Sequence, residues 1–264
     1  MTSLVAWVGR DSRSLSSAYI ATDSRISWLP HETWDGGRKT FASATCPEII
    51  GYVGDVLAPS VVLSQFSTAL DLRVLGGTNA RDRFVALADM LKRQVEAIPA
   101  MHQKRFTVIQ CARIEEGMAS TFQVNVIDYE GGGKWRREVL DAPDASAQLL
   151  VKGSGEAQVH KRLAKWEKSD VAGTSRAVFG AFVDAVESGA DPRSSGPIQL
   201  VGLQRTGSGR VFGVWHKGQR YLAGSSVPHV AACAEVRWFN TRFERCDSRT
   251  GRVIGQRQPR PGKL

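Results

Sequence analysis

The chain has 264 residues, 42% hydrophobic and 23% charged, enough for one large buried core or two small ones. Its 35 Lys and Arg against 26 Asp and Glu give a formal charge of +9, which admits nucleic acid, anionic lipid or acidic substrates without selecting among them. Ordinary Gly and Pro content excludes collagen-like and low-complexity classes, and no membrane span or signal-peptide core is present: Leu4–Val8 is too short, and Arg10 and Arg13 follow it instead of preceding it.

In chain order, the first elements read as strands. Leu4–Val8 and Ala18–Ala21 are short apolar runs joined by the polar stretch Gly9–Ser17, a hairpin pattern. Lys39–Phe41 and Ile49–Gly54 form a further strand pair. Helices follow: Val61–Leu72, then Ala80–Ile98 capped by Asn79, with Phe84, Leu87, Leu91 and Val95 at helical spacing. Phe106–Ile114, Thr121–Tyr129, Trp135–Leu140 and Leu149–Lys152 return to strands. Glu156–Glu167 and Thr174–Ser188 are a second helix pair, and Ile198–Gln204 and Arg210–His216 are strands joined at Thr206–Gly209.

Strand groups alternating with helix pairs argue against a βαβ parallel sheet. They predict an α+β fold, a four-layer αββα sandwich of two antiparallel sheets flanked by helices. Residues 1–239 are expected to form this domain. Residues 240–264 hold seven Lys and Arg against two Asp and Glu, with few large apolar residues, and read as a mobile basic tail. Whether 217–239 adds strands or an oligomer contact is left open.

Several chemistries lack their signatures. Gly131-Gly132-Gly133-Lys134 resembles part of a phosphate loop, but Trp135 follows and strands flank it, so a hairpin turn is expected. There is no HExxH, GxSxG or GxGxxG motif and no aromatic RNA-reading motif. His31, His102, His160, His216 and His229 are dispersed, and Cys46, Cys111, Cys233 and Cys246 show no CxxC spacing. No metal or other cofactor is therefore expected, and the cysteines read as buried free thiols of a reducing cytosol.

The opening residues carry a different chemistry. A small residue at position two permits removal of Met1, which would leave Thr2 as a free N-terminus heading a strand. Its hydroxyl and α-amine would then be a nucleophile and base on one residue. The amine has an ordinary pKa near ~7.7–8.0, so its neutral form is accessible at neutral pH.

With Asp23 in Ala21-Thr22-Asp23-Ser24-Arg25 and Lys39 sixteen residues beyond it, the chain resembles the proteasome β-type family of N-terminal-nucleophile (Ntn) hydrolases, closest in layout to the bacterial HslV and Anbu proteins. Gly51-Tyr52-Val53-Gly54 resembles the family's oxyanion-hole turn, Gly153-Ser154-Gly155 the segment before its third helix, and Asp191-Pro192-Arg193-Ser194-Ser195-Gly196 the segment that orients the catalytic amine. The resemblance covers about residues 2–216. Three departures stand out: Gly9–Ser17 is about five residues longer than usual, Ser195 is an extra residue before Gly196, and Asp55 replaces a small residue after Gly54.

The resemblance implies a threonine-type peptidase acting through an acyl–Thr2 ester. The Thr2 amine takes the hydroxyl proton, Lys39 as a cation favours the deprotonated forms, and Asp23 pairs with Lys39. The Gly54 N–H stabilises the oxyanion, a contribution of ~2.7–4 kcal/mol per donor in a measured serine protease. Ser154, Asp191 and Ser194 hold the amine and relay protons. Thr2 directly after Met1 implies no propeptide. Peptides or unfolded protein are the implied substrates, in a homo-oligomeric ring in the cytoplasm that would admit an ATPase unfoldase partner. Nucleic acid binding is expected only through 240–264.

Each residue keeps an ordinary alternative. Asp23 and Lys39 suit a plain salt bridge, Ser154 a helix cap, Asp191-Pro192 a turn, and Arg25 a structural role. Two other functions also remain: an Ntn amidase on small molecules, its pocket reshaped by Gly9–Ser17 and Asp55, and an inert scaffold with a nucleic-acid-binding tail.

Overall fold

A computed structural model describes residues 2–29, 32–75, 79–143, 146–228 and 235–255. Met1, His31, His229, Cys233 and the last part of the expected tail, 256–264, lie outside the described residues. The elements are β1 (Ser3–Arg10), β2 (Leu15–Thr22), β3 (Ile26–Leu29), β4 (Glu32–Trp34), β5 (Thr40–Ala42), β6 (Glu48–Gly54), α1 (Leu57–Asp71), α2 (Ala80–Ala97), β7 (Phe106–Arg113), β8 (Phe122–Tyr129), β9 (Trp135–Asp141) and β10 (Ala147–Gly153). Then come α3 (Glu156–Trp166), α4 (Ser175–Glu187), β11 (Gln199–Gln204), β12 (Arg210–His216), β13 (Gln219–Leu222), β14 (Ser225–Ser226), β15 (Trp238–Asn240) and β16 (Arg245–Cys246).

Strand β1 shows why the layers form. Its residues Ser3 to Gly9 are buried, so both faces must be covered. Val5 and Trp7 pack with Val159, Leu163, Phe179 and Phe182 of α3 and α4. Leu4, Ala6 and Val8 face the other way, against Ile49, Val53, Ile109 and Val124 of the second sheet. That sheet's outer face carries Ile50, Tyr52 and Val108 under Leu63, Phe66, Leu87 and Leu91 of α1 and α2. Three apolar seams thus separate four layers, the αββα sandwich expected.

The first sheet has nine strands along the path β10-β1-β2-β11-β12-β13-β14, with β15 and β16 beside β12; the second has five, β5 to β9 in order. Pairing is antiparallel except between β12 and β15. The Gly131–Gly133 segment is the expected hairpin turn between β8 and β9, closed by the Lys134 N–H on the Gly131 carbonyl at 3.2 Å.

The structure changes four expectations. Helix α1 starts at Leu57, not Val61, because Pro59 falls in the first turn, where a missing N–H costs nothing. The segments 26–29 and 32–34, left unassigned by the sequence, pair with each other as β3 and β4. The Gly9–Ser17 insertion lengthens strands instead of making a long loop: Gly9 pairs with Ser17 and Arg10 with Leu15. Its remaining turn is clamped by Arg205, which donates to both Asp11 oxygens at 2.6 and 2.8 Å. That turn lies seven residues along β1 from Ser3, about 23 Å at ~3.3 Å per residue, so it cannot reshape a pocket at Thr2.

The fourth change is at the C-terminus. The tail expected from Asn240 is folded as far as 255 among the described residues. Trp238–Asn240 runs parallel to Gly213–Trp215, taking up the edge of β12 that β11 leaves free. Phe243 then packs on Trp7, Tyr19 and Phe179 at centroid distances of 6.0, 5.3 and 5.3 Å. One aromatic of the basic stretch thus joins the core, and Phe239 before it stacks on the Phe243 ring at 4.9 Å.

Candidate active site

Thr2, just before β1, meets the ends of β6, β7, β8 and β10 at a cleft of about 520 Å³. Thr2, Gly54, Gly153 and Ser154 line it, with Arg105, Asp128, Arg136 and Lys152 supplying charge around the mouth. Thr2 is only 2% exposed. A larger recess of about 690 Å³, behind Ser195 and Gly196, contains none of the expected nucleophile or base residues; its His216 is bonded to Glu187 at 2.8 Å.

Two hydrogen-bonded groups grip the start of β1 from different sides. The first is the Asp23–Lys39 pair, both side chains fully buried, with Lys39 Nζ 3.1 Å from Asp23 Oδ1. Lys39 Nζ also donates to the Arg25 carbonyl at 2.5 Å. Asp23 Oδ1 accepts the Ser3 N–H at 3.0 Å, and Oδ2 accepts the N–H groups of Arg25 and Ser195 at 3.0 and 3.1 Å. Burial pushes the Asp23 carboxyl up and the Lys39 ammonium down, each opposed by attraction to the other. Their proton affinities approach one another, which an exposed ion pair would not do.

The second group centres on Asp191. Its Oδ2 accepts from Ser154 Oγ at 2.6 Å and Ser194 Oγ at 2.8 Å. Burial alone would raise this carboxyl, but the two hydroxyls, the Arg193 N–H and the Arg193 charge together hold it below its ordinary value. Ser194 Oγ lies 2.7 Å from Ser3 Oγ, and the Ser154 N–H donates to the Thr2 carbonyl at 2.9 Å. Asp191 also makes a turn, its carbonyl accepting the Ser194 N–H at 3.1 Å, so the turn and the side-chain network coexist. Ser154 does not cap α3: Gly155 is the cap residue, and the hydroxyl goes to Asp191 instead.

Backbone geometry is demanding at two glycines. Gly153 has φ +108°, and a Cβ there would collide with the Thr2 carbonyl. Gly54 has φ +98°, and a Cβ would come within 2.6 Å of the Arg105 carbonyl and 2.7 Å of Phe106 Cα. Asp55, the departure beside it, accepts the Leu57 N–H at 3.2 Å and so opens α1. The extra Ser195 is absorbed: its carbonyl accepts the Ser24 N–H at 3.1 Å while its own N–H binds Asp23.

Other residues of this cluster gave no sequence signal. Ser3 is the residue on which both groups close. Asp35 takes the Arg25 guanidinium in two bonds of 2.7 and 2.8 Å, giving Arg25 a structural anchor. Gln199, 1% exposed, joins the backbone at Gly37, Lys39 and Thr40 to that at Asp23.

Facing antiparallel sheets between helix pairs, with the first strand opening on a cleft, define the Ntn-hydrolase fold class. Solved structures share this fold with the chain at low sequence identity. The chain is similar to Anbu, an ancestral beta-subunit, from Yersinia bercovieri (TM-score 0.54, 10% identity, 79% of this chain and 86% of that one). It is also similar to a Gly-1 mutant of Anbu from Hyphomicrobium sp. strain MC1 (TM-score 0.50, 15% identity, 80% and 87%). Eukaryotic HslV from Trypanosoma brucei gives a TM-score of 0.47 at 12% identity over 76% and 99%. No protein-family model matches the sequence, and no curated protein matches it. No helix among the described residues is long and apolar enough to cross a membrane.

Proposed function

We propose that the chain is a threonine-type peptidase whose nucleophile is Thr2, freed by removal of Met1. The observation that carries this reading is the convergence of two polar groups, the buried Asp23–Lys39 pair and the partly buried Ser154–Asp191–Ser194 set, on Thr2 and Ser3 beside a cleft. Polar groups are costly to bury, and two such sets meeting at one strand end serve proton chemistry better than packing.

The mechanism follows from the groups present. The α-amine of Thr2 removes the hydroxyl proton, directly or through water. Lys39, held by Asp23, stabilises the developing alkoxide. The Gly54 N–H receives the oxyanion, and water hydrolyses the acyl ester with the amine returning the proton. Ser154, Asp191 and Ser194 orient the amine. No cofactor enters this scheme. Peptides or unfolded protein are the substrates, and a homo-oligomeric ring in the cytoplasm is the setting. Likeness of fold to an ancestral beta-subunit supports assembly with other copies. The strand-extending role of Gly9–Ser17 and the helix-opening role of Asp55 remove the motives for a reshaped small-molecule pocket.

Intact-mass measurement of the purified protein tests the first requirement: Met1 must be absent. Thr2→Ala is expected to abolish hydrolysis of fluorogenic peptides and Thr2→Ser to retain part of it. Full retention of Met1, or activity in Thr2→Ala, overturns the reading.

A further inference from the structure

Asp23 follows the last residue of β2 in the nine-stranded sheet, and Lys39 precedes the first residue of β5 in the five-stranded sheet. The ion pair therefore spans two sheets that no backbone ladder joins. Strand β5 is also an edge strand, paired only with β6, so its outer N–H groups need acceptors from elsewhere.

Gln199, the first residue of β11, meets both needs. Its Oε1 accepts the Lys39 N–H at 2.9 Å, and the Thr40 N–H and hydroxyl at 3.3 Å each. Its Nε2 donates to the Gly37 carbonyl at 2.7 Å, the Ser24 hydroxyl at 2.9 Å and the Asp23 carbonyl at 3.4 Å. Backbone N–H groups can only donate and carbonyls can only accept, so the carboxamide has a single orientation. One side chain thus ties the segment bearing Lys39 to the segment bearing Asp23. Glu offers acceptors without donors, Leu offers neither, and Asn is one methylene short.

We infer that Gln199 is a positioning residue, which holds Lys39 and Asp23 in register across the gap between the sheets and so sets the geometry of their ion pair beside Thr2. This rests on the reading of Thr2, Lys39 and Asp23 as the catalytic group. Gln199 reaches neither the cleft nor the reacting atoms; it acts through the two backbones it joins.

The test uses the full chain with Gln199→Leu and Gln199→Glu. Hydrogen exchange by mass spectrometry reads the amides of 37–42, and fluorogenic-peptide kinetics across pH read kcat and KM. In Gln199→Leu, exchange at Lys39 and Thr40 should rise at least about tenfold, as expected for loss of one buried bond. Its kcat should fall on the order of 10²-fold with KM little changed, the cost of a misplaced catalytic group. Gln199→Glu keeps the acceptor, so exchange stays near wild type. Its added negative charge should move the Lys39-dependent limb of the kcat profile to higher pH. Protected amides or wild-type kcat in folded Gln199→Leu overturns the inference. Should Gln199→Leu not fold, an unmoved pH limb in folded Gln199→Glu overturns it instead. Activity surviving Thr2→Ala would sink the catalytic reading alone, and the exchange measurement would still decide the bridge.

Discussion

Among the described residues, Glu48–Arg83 and Asp23–Lys39 are buried carboxylate–cation pairs, and they differ in what lies around them. Glu48, fully buried in β6, pairs with Arg83 of α2. Its other oxygen accepts from Gln110 at 2.8 Å, whose own oxygen accepts from Asn125 at 3.1 Å. This chain of neutral amides crosses β6, β7 and β8 and fastens a helix to a sheet. Asp23–Lys39 is equally buried, but Asp23 binds the backbone of Ser3, next to the cleft, and its cation is an ammonium. A guanidinium stays charged at every usable pH, whereas a buried ammonium can give up its proton. Burial and pairing alone therefore do not mark function. In the proposed mechanism the difference is an exchangeable proton on a pair bonded to Ser3, next to the cleft residue Thr2.

Substituting the cations and carboxylates tests that distinction. Lys39→Met should lower kcat by about 10²–10⁴-fold and cost about 3–5 kcal/mol of stability, because Asp23 is left buried and unpaired. Lys39→Arg should keep much of the stability and little of the activity. Peptide kinetics and denaturant unfolding on the same samples separate the two effects. Glu48→Gln should cost a similar ~3–5 kcal/mol while kcat of the folded protein stays at wild type. A large fall in kcat with unchanged stability there would collapse the contrast between the pairs.

Gly54→Ala sharpens the comparison at the cleft. A positive φ and the collision with Arg105 predict a loss of about 1–3 kcal/mol, with kcat reduced about 10²-fold if the oxyanion donor moves. The smallest effect is expected at Asp191. Its folded pKa lies below the ordinary value near ~3.9, so its contribution is fully present above that pH and lost as pH falls through the depressed folded value. Asp191→Asn should therefore lower the melting temperature at neutral pH and much less at the acid end. Parallel curves for the two proteins across pH would contradict this.

Much of the scaffold was legible because burial on both faces leaves continuous apolar runs. Leu4–Val8 and Ile49–Gly54 read as strands for that reason, and Phe84, Leu87, Leu91 and Val95 marked a helix through their period. Residues 26–34 were not legible: Pro30 and His31 interrupt a run whose Trp28 and Trp34 are 64% and 55% exposed, so no burial pattern marks it. The segment after 240 misled through composition. Its arginines outnumber its aromatics, yet Phe243 alone meets three rings of the core.

The sequence by itself determined the candidate constellation: Thr2 at the head of a strand, Asp23 and Lys39 sixteen residues apart, and Gly54, Ser154, Asp191 and Ser194 in their segments. These groups sit at the ends of local elements, so short motifs carry them. Only the tertiary structure decided that Ser3 receives both networks, that Ser154 turns to Asp191 instead of capping α3, and that Gln199 bridges the sheets. Gln199 and Lys39 are 160 positions apart. No periodicity spans such a distance; two facing sheets bring them together because their apolar faces must be covered, and the polar atoms stranded at the seam's end must then find one another.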